Sequence, residues 1–330
     1  MGPVYGIGNP LLDTLVSGDR EILDRLEVQP GTMNLVDVPV QEQIIKAGTI
    51  VDAQPGGSSS NAMRVYAWLS NGAHEAPVYT GAVGRDARGD EFESLLSEAG
   101  VACRLARVGS PTGGSVIYIT PDRERTMFTA LGACLELSPE HIHDAVLDSC
   151  SRVHVTGYVW DAPSGQEAAL KAIRTANARG IPVSFDVSDV LVADRHRSDF
   201  FDVLSGRVDV LFANQSELAS LAETPDLDAM IERCSGIAGC LVIKRGAEGC
   251  RLVESGVPTD IPGHPVDTVI DTSGAGDTFA GAFLFALEEG YPAMQAARLG
   301  NYVASRVVRV IGCDTGAFDR EDIAAFRRSL

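Results

Sequence analysis

The chain is poor in lysine and lacks any long apolar run. Its 330 residues include only three lysines, Lys46, Lys171 and Lys244, and 45 Asp and Glu residues outnumber 27 Lys and Arg residues. The formal charge of −18 repels nucleic acid and anionic membranes, so we expect neither as a partner. Because no apolar run reaches the length of a membrane span and no basic–apolar leader opens the sequence, we expect a cytoplasmic protein.

Clustered metal ligands are also missing. The seven cysteines are an odd number, and no two of them are separated by just two residues. This distribution is typical of reduced, mostly buried thiols. His141 and His143 lie two positions apart on a predicted helix, so their side chains point in different directions. The sequence therefore predicts no metal held by cysteine and histidine.

Strand-like and helical segments alternate along most of the chain, and 45% of the residues are hydrophobic, which is ample for a large core. The alternation is typical of a doubly wound parallel sheet with helices on both faces. We therefore predict one α/β domain over residues 1–330. The predicted strands include 4–7, 153–158, 182–186, 208–213 and 240–244.

The alternation is interrupted between residues 101 and 132. Three segments in this region are typical of consecutive strands, and turn signals at 111–113 and 121–122 separate them. A run of strands inside an alternating chain indicates an antiparallel sheet added to the main one. We predict that residues 14–53 and 104–131 form a small β-sheet lid.

One segment near the C-terminal end combines a strand, a small-residue turn and the start of a helix. It runs from Val269 to Phe279 with the sequence VIDTSGAGDTF, and Gly274, Ala275 and Gly276 form its centre. Residues with almost no side chain let backbone N–H groups approach an anion, and the following helix adds unpaired N–H groups and a positive dipole end. The segment predicts a site for the developing charge of a phosphate.

Asp277 lies just after this turn, where a carboxylate would repel a bound phosphate. Its presence is explained if it accepts the proton of a hydroxyl group that attacks the phosphate. The alternative is a strand–helix turn in which Asp277 only caps the helix N-terminus.

A second small-residue segment, Gly56 to Asn61, is predicted to be a loop that opens an apolar helix over 62–69. Gly56 and Gly57 would let a ligand lie against the backbone, and Asn61 supplies both a donor and an acceptor. This combination suits a polyhydroxylated ligand, and a flexible surface turn is the alternative.

Asn9 and Asp13 flank apolar residues directly after the first predicted strand. A carboxylate can accept hydrogen bonds from two adjacent hydroxyl groups, as on a ribose diol. An aspartate in a turn is also common for structural reasons alone.

Asn214 and Glu217 follow the predicted strand 208–213, at the sheet edge where ligands of open α/β folds bind. This pair could order the water shell of Mg²⁺, and the same spacing fits an N-cap with a capping-box glutamate. The segment from Lys244 to Gly249, which follows the next strand, is compatible with a nucleotide-binding loop and with a hairpin turn.

Together these residues resemble the ribokinase (PfkB) family of carbohydrate kinases, and the resemblance covers nearly the whole chain. Gly56–Asn61 is similar to the first family motif, and Asp271–Phe279 is similar to the second and more specific one. Within the family, Gly8–Asp13 is most similar to adenosine kinase-like members. Further segments occur in the family's order: 81–86 with Gly89, 111–113, Asn214 with Glu217, and Gly246 with Gly249.

The resemblance implies a ribokinase-like fold and a role for each matching residue. Asp277 would be the base that takes the proton from the acceptor CH₂OH group, above an anion hole made by Gly274, Ala275 and Gly276. The substrate pocket would hold the sugar hydroxyl groups through Asp13, Gly57 and Asn61, with Asn9 and Gly56 in its lining.

The resemblance also implies ATP and Mg²⁺ as cofactors, with K⁺ as a possible third. Asn214 and Glu217 would organise Mg²⁺ through water, and Asp271 and Ser273 would neighbour the monovalent cation that many relatives bind. The residues flanking ATP would be Asn214, Lys244, Gly246 and Gly249, with Asn301 near the adenine. Lys244 departs from the threonine that many relatives carry.

We therefore expect a kinase of a primary hydroxyl group, with adenosine as the first candidate because of Gly8–Asp13. A free sugar such as ribose, fructose or a keto-deoxy sugar acid is the alternative substrate, and a non-catalytic nucleoside- or sugar-binding regulator is the alternative class. Tyr158 and Trp160 are candidates for contacts to a base, or ordinary core aromatics. The lid would serve as the flap of a monomer or the clasp of a homodimer.

Overall fold

The computed structural model describes residues 2–30, 32–121 and 124–330. The strands are β1 (Val4–Ile7), β2 (Leu11–Ser17), β3 (Met33–Leu35), β4 (Thr49–Gly56), β5 (Val78–Thr80), β6 (Ala82–Gly84), β7 (Ala102–Cys103), β8 (Ala106–Val108), β9 (Gly114–Ile119), β10 (Arg125–Ala130), β11 (Arg152–Thr156), β12 (Val183–Asp186), β13 (Val208–Asn214), β14 (Ala238–Lys244), β15 (Cys250–Glu254) and β16 (Val257–Ile261).

The α-helices are α1 (Glu21–Arg25), α2 (Val38–Lys46), α3 (Ser58–Ser70), α4 (Ala87–Glu98), α5 (Asp144–Leu147), α6 (Pro163–Ala178), α7 (Val190–Arg195), α8 (Arg197–Leu204), α9 (Gln215–Ala222), α10 (Leu227–Cys234), α11 (Ala275–Glu288), α12 (Ala293–Val307) and α13 (Arg320–Arg327). Short 3₁₀ helices occur at Gly132–Glu136, Pro139–His141, Gly157–Asp161, Gly246–Glu248 and Thr315–Ala317. In the described part of the chain, none of the helices combines the length and apolar composition needed to cross a membrane.

The main sheet has nine strands in the order β16-β15-β14-β13-β12-β11-β1-β5-β7. The strands from β14 to β7 are parallel to their neighbours, and β15 and β16 are added antiparallel at one edge. Separate hydrophobic cores lie on the two faces, one with Ile173 and Phe200 and the other with Met63 and Phe283. Helices cover both faces because the parallel strands are apolar on both sides. The predicted doubly wound α/β fold is confirmed.

Helix α11 is buried on nearly all sides, with apolar side chains from Phe279 to Ala286. It packs against α3 so closely that a Cβ atom on Gly281 would lie 2.4 Å from the carbonyl oxygen of Ala62. The glycine is therefore what lets the two helices approach. Since each helix begins in one of the two signature segments, their packing brings those segments together.

A second sheet has five strands in the order β3-β10-β9-β2-β4, and we call it the lid sheet. Helices α1 and α2 cover one of its faces over a small core that includes Val16, Ile44 and Phe128. Gln41 of α2 is buried and donates to the carbonyl oxygens of Gly114 (2.7 Å) and Phe128 (3.0 Å). The division of the chain into one domain with a lid at residues 14–53 and 104–131 stays a prediction.

Several local predictions were wrong. Gly56–Asn61 is not a loop, because β4 ends at Gly56, α3 begins at Ser58, and only Gly57 with its φ of +90° separates them. The strand predicted over 153–158 ends at Thr156 and continues as a 3₁₀ helix. His141 and His143 do not share a helix, since His141 ends one short 3₁₀ turn and His143 precedes α5.

Candidate active site

A cleft of about 890 Å³ separates the lid sheet from the carboxyl edge of the main sheet. Of the predicted site residues, Gly56, Asp271 and Ser273 are not among its lining residues. All the others line it, namely Asn9, Asp13, Gly57, Asn61, Asn214, Glu217, Lys244, Gly246, Gly249, Gly274, Ala275, Gly276, Asp277 and Asn301. Residues from both ends of the chain thus meet in one place.

The carboxylate of Asp277 is held by two side chains from the first turn of α3. Ser58 Oγ donates to its Oδ1 at 2.6 Å, and Asn61 Nδ2 donates to its Oδ2 at 2.9 Å. Arg64 Nη1 donates to Asn61 Oδ1 at 3.3 Å and so orients the amide. Capping of α11 by Asp277, the alternative reading, is wrong: Gly274 is the N-cap residue, and no side chain caps this helix.

The turn before α11 presents backbone donors to the cleft. Gly274 has a φ of +71°, and a Cβ atom there would lie 2.9 Å from the Cβ of Cys313, so the position requires glycine. In the described part of the chain, the N–H groups of Gly276 and Asp277 have no acceptor, while Ala275 N donates to Thr272 O at 3.2 Å. Two unpaired N–H groups at a helix start are suited to binding an anion.

Asp271 stabilises this turn, and the protein itself supplies the partners that balance its negative charge. Its carboxylate accepts from the backbone N–H groups of Ser273 (3.0 Å) and Gly312 (2.9 Å), and it pairs with Arg125 Nη1 of the lid sheet at 2.9 Å. Burial alone would raise the pKa of Asp271, but these hydrogen bonds and the Arg125 charge outweigh it and lower the pKa. A monovalent cation beside Asp271 and Ser273 would have to compete with the guanidinium.

In another part of the cleft, Asp13 of β2 faces a glycine-lined space. A Cβ atom on Gly56 would lie 2.2 to 2.3 Å from the carboxyl atoms of Asp13, and one on Gly57 would lie 2.1 Å from the carbonyl oxygen of Asn9. Burial raises the pKa of Asp13 to about 7, opposed by the charge of Arg64 and reinforced by that of Asp277. Close approach therefore requires glycine at both positions, and at Gly57 the φ of +90° requires it as well.

Apolar side chains line the cleft above Asp13. Leu35 and Met127 of the lid sheet, together with Leu11, Leu131 and Tyr158, contribute to this lining. Leu35 is 59% exposed, so it presents its apolar surface to the cleft. Such a surface matches a flat aromatic ligand better than a bare sugar.

The two candidate aromatics have different surroundings. Tyr158 lines the cleft, and its hydroxyl group donates to the carbonyl oxygen of Ser188 at 3.2 Å. Trp160 is buried edge-on against Phe185 and Phe200, and so is an ordinary core aromatic. Tyr158 is therefore the one that a ligand can reach.

Asn214 and Glu217 form a reciprocal pair at the start of α9. Glu217 N donates to Asn214 Oδ1 at 2.8 Å, and Asn214 N donates to Glu217 Oε2 at 2.8 Å, which is a capping box. Burial raises the pKa of Glu217 to about 7, although the charge of Lys244 opposes the shift. Both side chains also line the cleft, and their oxygen atoms are the donor type that suits Mg²⁺ held through water.

Lys244 and the hairpin after it form the far wall of the cleft. Lys244 Nζ donates to Asp186 Oδ2 at 2.8 Å. Strands β14 and β15 are antiparallel, so the segment between them is a hairpin turn, and Gly249 has a φ of +91° in it. Asn301 Nδ2 donates to the carbonyl oxygens of Ile261 (3.1 Å) and Pro262 (3.2 Å), which ties α12 to the end of β16.

Three residues of the site were missed by sequence reasoning: Ser58, Asp186 and Arg125. Ser58 lies inside the first signature segment, so its position was visible although its partner was not. Asp186 is an acidic residue at the end of a buried apolar strand, a pattern that marks the ligand-binding edge of a parallel sheet. Arg125 carries no signal of its own, because its contact with Asp271 depends on how the lid sheet is placed.

Comparison with known proteins agrees with this geometry. The sequence profile described as "pfkB family carbohydrate kinase" matches residues 32–319. The adenosine kinase of Dictyostelium discoideum is 27% identical over 334 residues, which covers 94% of this chain and 95% of that protein.

Two crystal structures have the same fold along the whole chain. The adenosine kinase from Sinorhizobium meliloti is 30% identical with a TM-score of 0.87, and the match covers 99% of both chains. A probable sugar kinase from Rhizobium etli CFN 42 is 29% identical with a TM-score of 0.88, and the match covers 99% of this chain and 98% of that one. These relatives carry names of both substrate classes, nucleosides and sugars.

Proposed function

Because this chain belongs to the pfkB family of carbohydrate kinases, which are phosphotransferases with an alcohol group as acceptor, we propose that it transfers the γ-phosphoryl group of ATP to the 5′-hydroxyl group of adenosine. The observation that carries the proposal is the arrangement around Asp277. This carboxylate is oriented by Ser58 and Asn61, and two unpaired N–H groups at the start of α11 lie beside it. A base and an anion site are thus adjacent.

The reaction follows from this adjacency. Asp277 accepts the proton of the 5′-hydroxyl group while the oxygen of that hydroxyl group forms a bond to the γ-phosphorus. The bond between the γ-phosphorus and the bridging oxygen breaks, and the electron pair leaves with ADP. The N–H groups of Gly276 and Asp277 stabilise the charge that develops on the transferring group. Asn214 and Glu217 would hold Mg²⁺ through water, where the ion would neutralise charge on the ATP phosphates.

Asp13 is suited to select the acceptor. When it is ionised, this carboxylate, which has no hydrogen bond to the described residues, can accept two from the 2′- and 3′-hydroxyl groups of a ribose. Gly56 leaves the space that this carboxylate occupies, and Gly57 leaves the space that the carbonyl oxygen of Asn9 occupies. This set of contacts is compatible with a free sugar as well as with a nucleoside.

The apolar lining above Asp13 favours the nucleoside. Leu35, Met127 and Tyr158 offer surface that a free sugar would leave exposed and a purine would cover. Filling this space with a base gains the hydrophobic contribution that a sugar cannot make. Adenosine is therefore the first choice, and a sugar remains the second.

A coupled assay of ADP release across nucleosides and sugars tests the proposal. We expect adenosine to give the highest kcat/KM, and the product to be AMP. A higher kcat/KM for ribose, fructose or a keto-deoxy sugar acid would overturn the choice of adenosine. Binding of adenosine and ATP without any phosphorylated product would overturn catalysis and favour a regulator.

A further inference from the structure

Lys244 is the last residue of β14, and its side chain lies along the floor of the cleft. Strand β13 lies between β14 and β12, so the lysine reaches across one strand to bind Asp186 at the end of β12. Only 14% of the Lys244 side chain and 1% of the Asp186 side chain are exposed. This pair is a buried ion pair at the carboxyl edge of the main sheet.

The ammonium group lies against the centre of the anion hole. A Cβ atom on Gly276 would be 3.2 Å from Lys244 Nζ and 3.8 Å from its Cδ and Cε atoms. The glycine therefore leaves the space that the end of the lysine fills. The positive end of α11 and the ammonium converge on the same point, beside the unpaired N–H groups of Gly276 and Asp277.

The ammonium is charged and has donors to spare. Burial would lower the pKa of Lys244, but the charges of Asp186 and Glu217 outweigh burial and raise it. Of its three N–H donors, one binds Asp186, and the residues described by the structure offer it no second acceptor. The remaining donors can bind an oxygen of a phosphate without breaking the bond to Asp186.

We propose that Lys244 is a catalytic residue whose ammonium contacts the transferring phosphoryl group, and that Asp186 is the positioning residue that holds it there. The proposal rests on the proposed function, because it assigns one more contact in the same phosphoryl transfer. Lys244 gives up no proton: it donates a hydrogen bond to an oxygen of the γ-phosphoryl group while the proton of the acceptor passes to Asp277. Asp186 keeps the ammonium fixed, so no reorganisation is needed as charge develops.

Removing the ammonium tests the catalytic role. Lys244→Met keeps an apolar stem, and we expect kcat to fall by a factor on the order of 10² to 10³. The KM for ATP should change less than tenfold, since the contact strengthens in the transition state. Lys244→Arg should recover part of the loss, because it restores a positive charge with a different shape.

A double variant separates this role from a structural one. Lys244→Met leaves Asp186 as an unpaired buried charge, which destabilises the fold by itself. Lys244→Met combined with Asp186→Asn removes both charges and should regain thermal stability while kcat stays low. Recovery of the wild-type kcat in the double variant would overturn the proposal. If the single variant does not fold, the double variant alone decides.

Asp186→Asn tests the positioning role. We expect kcat to fall less than in Lys244→Met, with the KM for adenosine unchanged, because a neutral amide oxygen holds the ammonium less firmly than the carboxylate does. A purely structural aspartate would lower the thermal midpoint and leave kcat per folded enzyme at the wild-type value, which would contradict the positioning role.

The wild-type enzyme distinguishes this inference from the proposed function. Failure of the wild type to phosphorylate any nucleoside overturns the substrate assignment, and the variants are then measured with the sugar that it accepts. An active wild type together with a Lys244→Met variant of nearly equal kcat overturns the inference alone.

Discussion

The two sides of the cleft are built differently. On the side that we propose binds the phosphates, called the phosphate side, charged groups already have partners within the protein: Asp277 with Ser58 and Asn61, and Lys244 with Asp186. On the acceptor side, the carboxylate of Asp13 makes no hydrogen bond within the described residues, and burial raises its pKa to about 7.

Because of this difference, we expect the two sides to contribute separately to the catalytic rate and to substrate affinity. Groups that stabilise developing charge must be in place beforehand, because reorganising them during the reaction would raise the barrier. A carboxylate that lacks partners gains them from the ligand, and so contributes to substrate affinity. Changes on the phosphate side should therefore act on kcat, and changes on the acceptor side on KM.

Asp277→Asn should have an effect at least as large as that of Lys244→Met. The amide cannot accept the proton of the acceptor hydroxyl group, so we expect kcat to fall by a factor on the order of 10² or more. The KM for adenosine should change little, because Asp277 lies on the phosphate side. Steady-state kinetics measures both values, with Asp148→Asn as the control, since that exposed residue precedes β11 at the opposite edge of the sheet. Near-normal turnover in Asp277→Asn would remove it as the base.

Gly56→Ala should have the next largest effect, and it should change mainly the KM for adenosine rather than kcat. The new Cβ atom would lie 2.2 Å from Asp13 Oδ2, so the carboxylate must move out of the pocket. We expect the KM for adenosine to rise tenfold to about a hundredfold, with a smaller change in kcat. Gly236→Ala is the matched control, because a Cβ atom there has no neighbour within 4 Å in the described structure. A fall in kcat at constant KM would break the division between the two sides.

The pH dependence of adenosine binding should show whether the carboxylate of Asp13, which lacks partners, contributes to substrate affinity. With the pKa of Asp13 raised to about 7, ionisation increases between pH 6 and 8, and adenosine KM should fall by roughly tenfold over that range. Adenosine binding therefore improves as the pH rises, whereas folding stability should decrease. The folded state holds this proton more tightly than the unfolded state, so the free energy of unfolding falls from about pH 4 to about pH 7. Asp13→Asn should abolish both trends. An unchanged KM profile in that variant would show that Asp13 is not the titrating group.

Arg125→Ala should have the smallest effect, because Arg125 acts only through Asp271. Loss of the guanidinium leaves Asp271 with its two backbone hydrogen bonds and, among the described residues, no paired cation. We expect a few-fold lower kcat, partly restored by added K⁺, which would meet the unpaired carboxylate. The wild type should respond less to K⁺ than the variant. An equal response of both enzymes would show that the guanidinium does not compete with the ion.

Much of the fold could be predicted from the sequence because it depends on local patterns. The strand at Val4–Ile7 has the bounds that its apolar run predicts. The segment at Gly56–Asn61 was predicted wrongly because small residues are typical of loops, whereas here the two glycines let the chain approach Asp13 of β2 and the carbonyl oxygen of Asn9 closely. Strand β4 was missed because most of its residues are exposed or half-buried, so it lacks an apolar alternation.

Most residues that meet in the cleft could be predicted from the sequence, whereas most of their contacts with one another could not. Asn61 was expected to bind sugar hydroxyl groups, and it also orients Asp277 from 216 positions away. The pairing of Lys244 with Asp186 depends on the order of the strands in the sheet, which local sequence patterns do not reveal. Long-range pairs of this kind need the assembled sheet, whereas glycine turns and helix starts can be identified locally.

Helix α11 carries a further consequence for how the molecule opens. Its residues from Thr278 to Ala286 are buried against α3 and α12, so their amide hydrogens should exchange only when the whole domain unfolds. The lid sheet has a small core of its own, so we expect it to open at a lower free energy. The proposed base would thus be attached to a slowly exchanging part of the protein, and we expect a substrate to enter or leave past the lid sheet without disturbing Asp277.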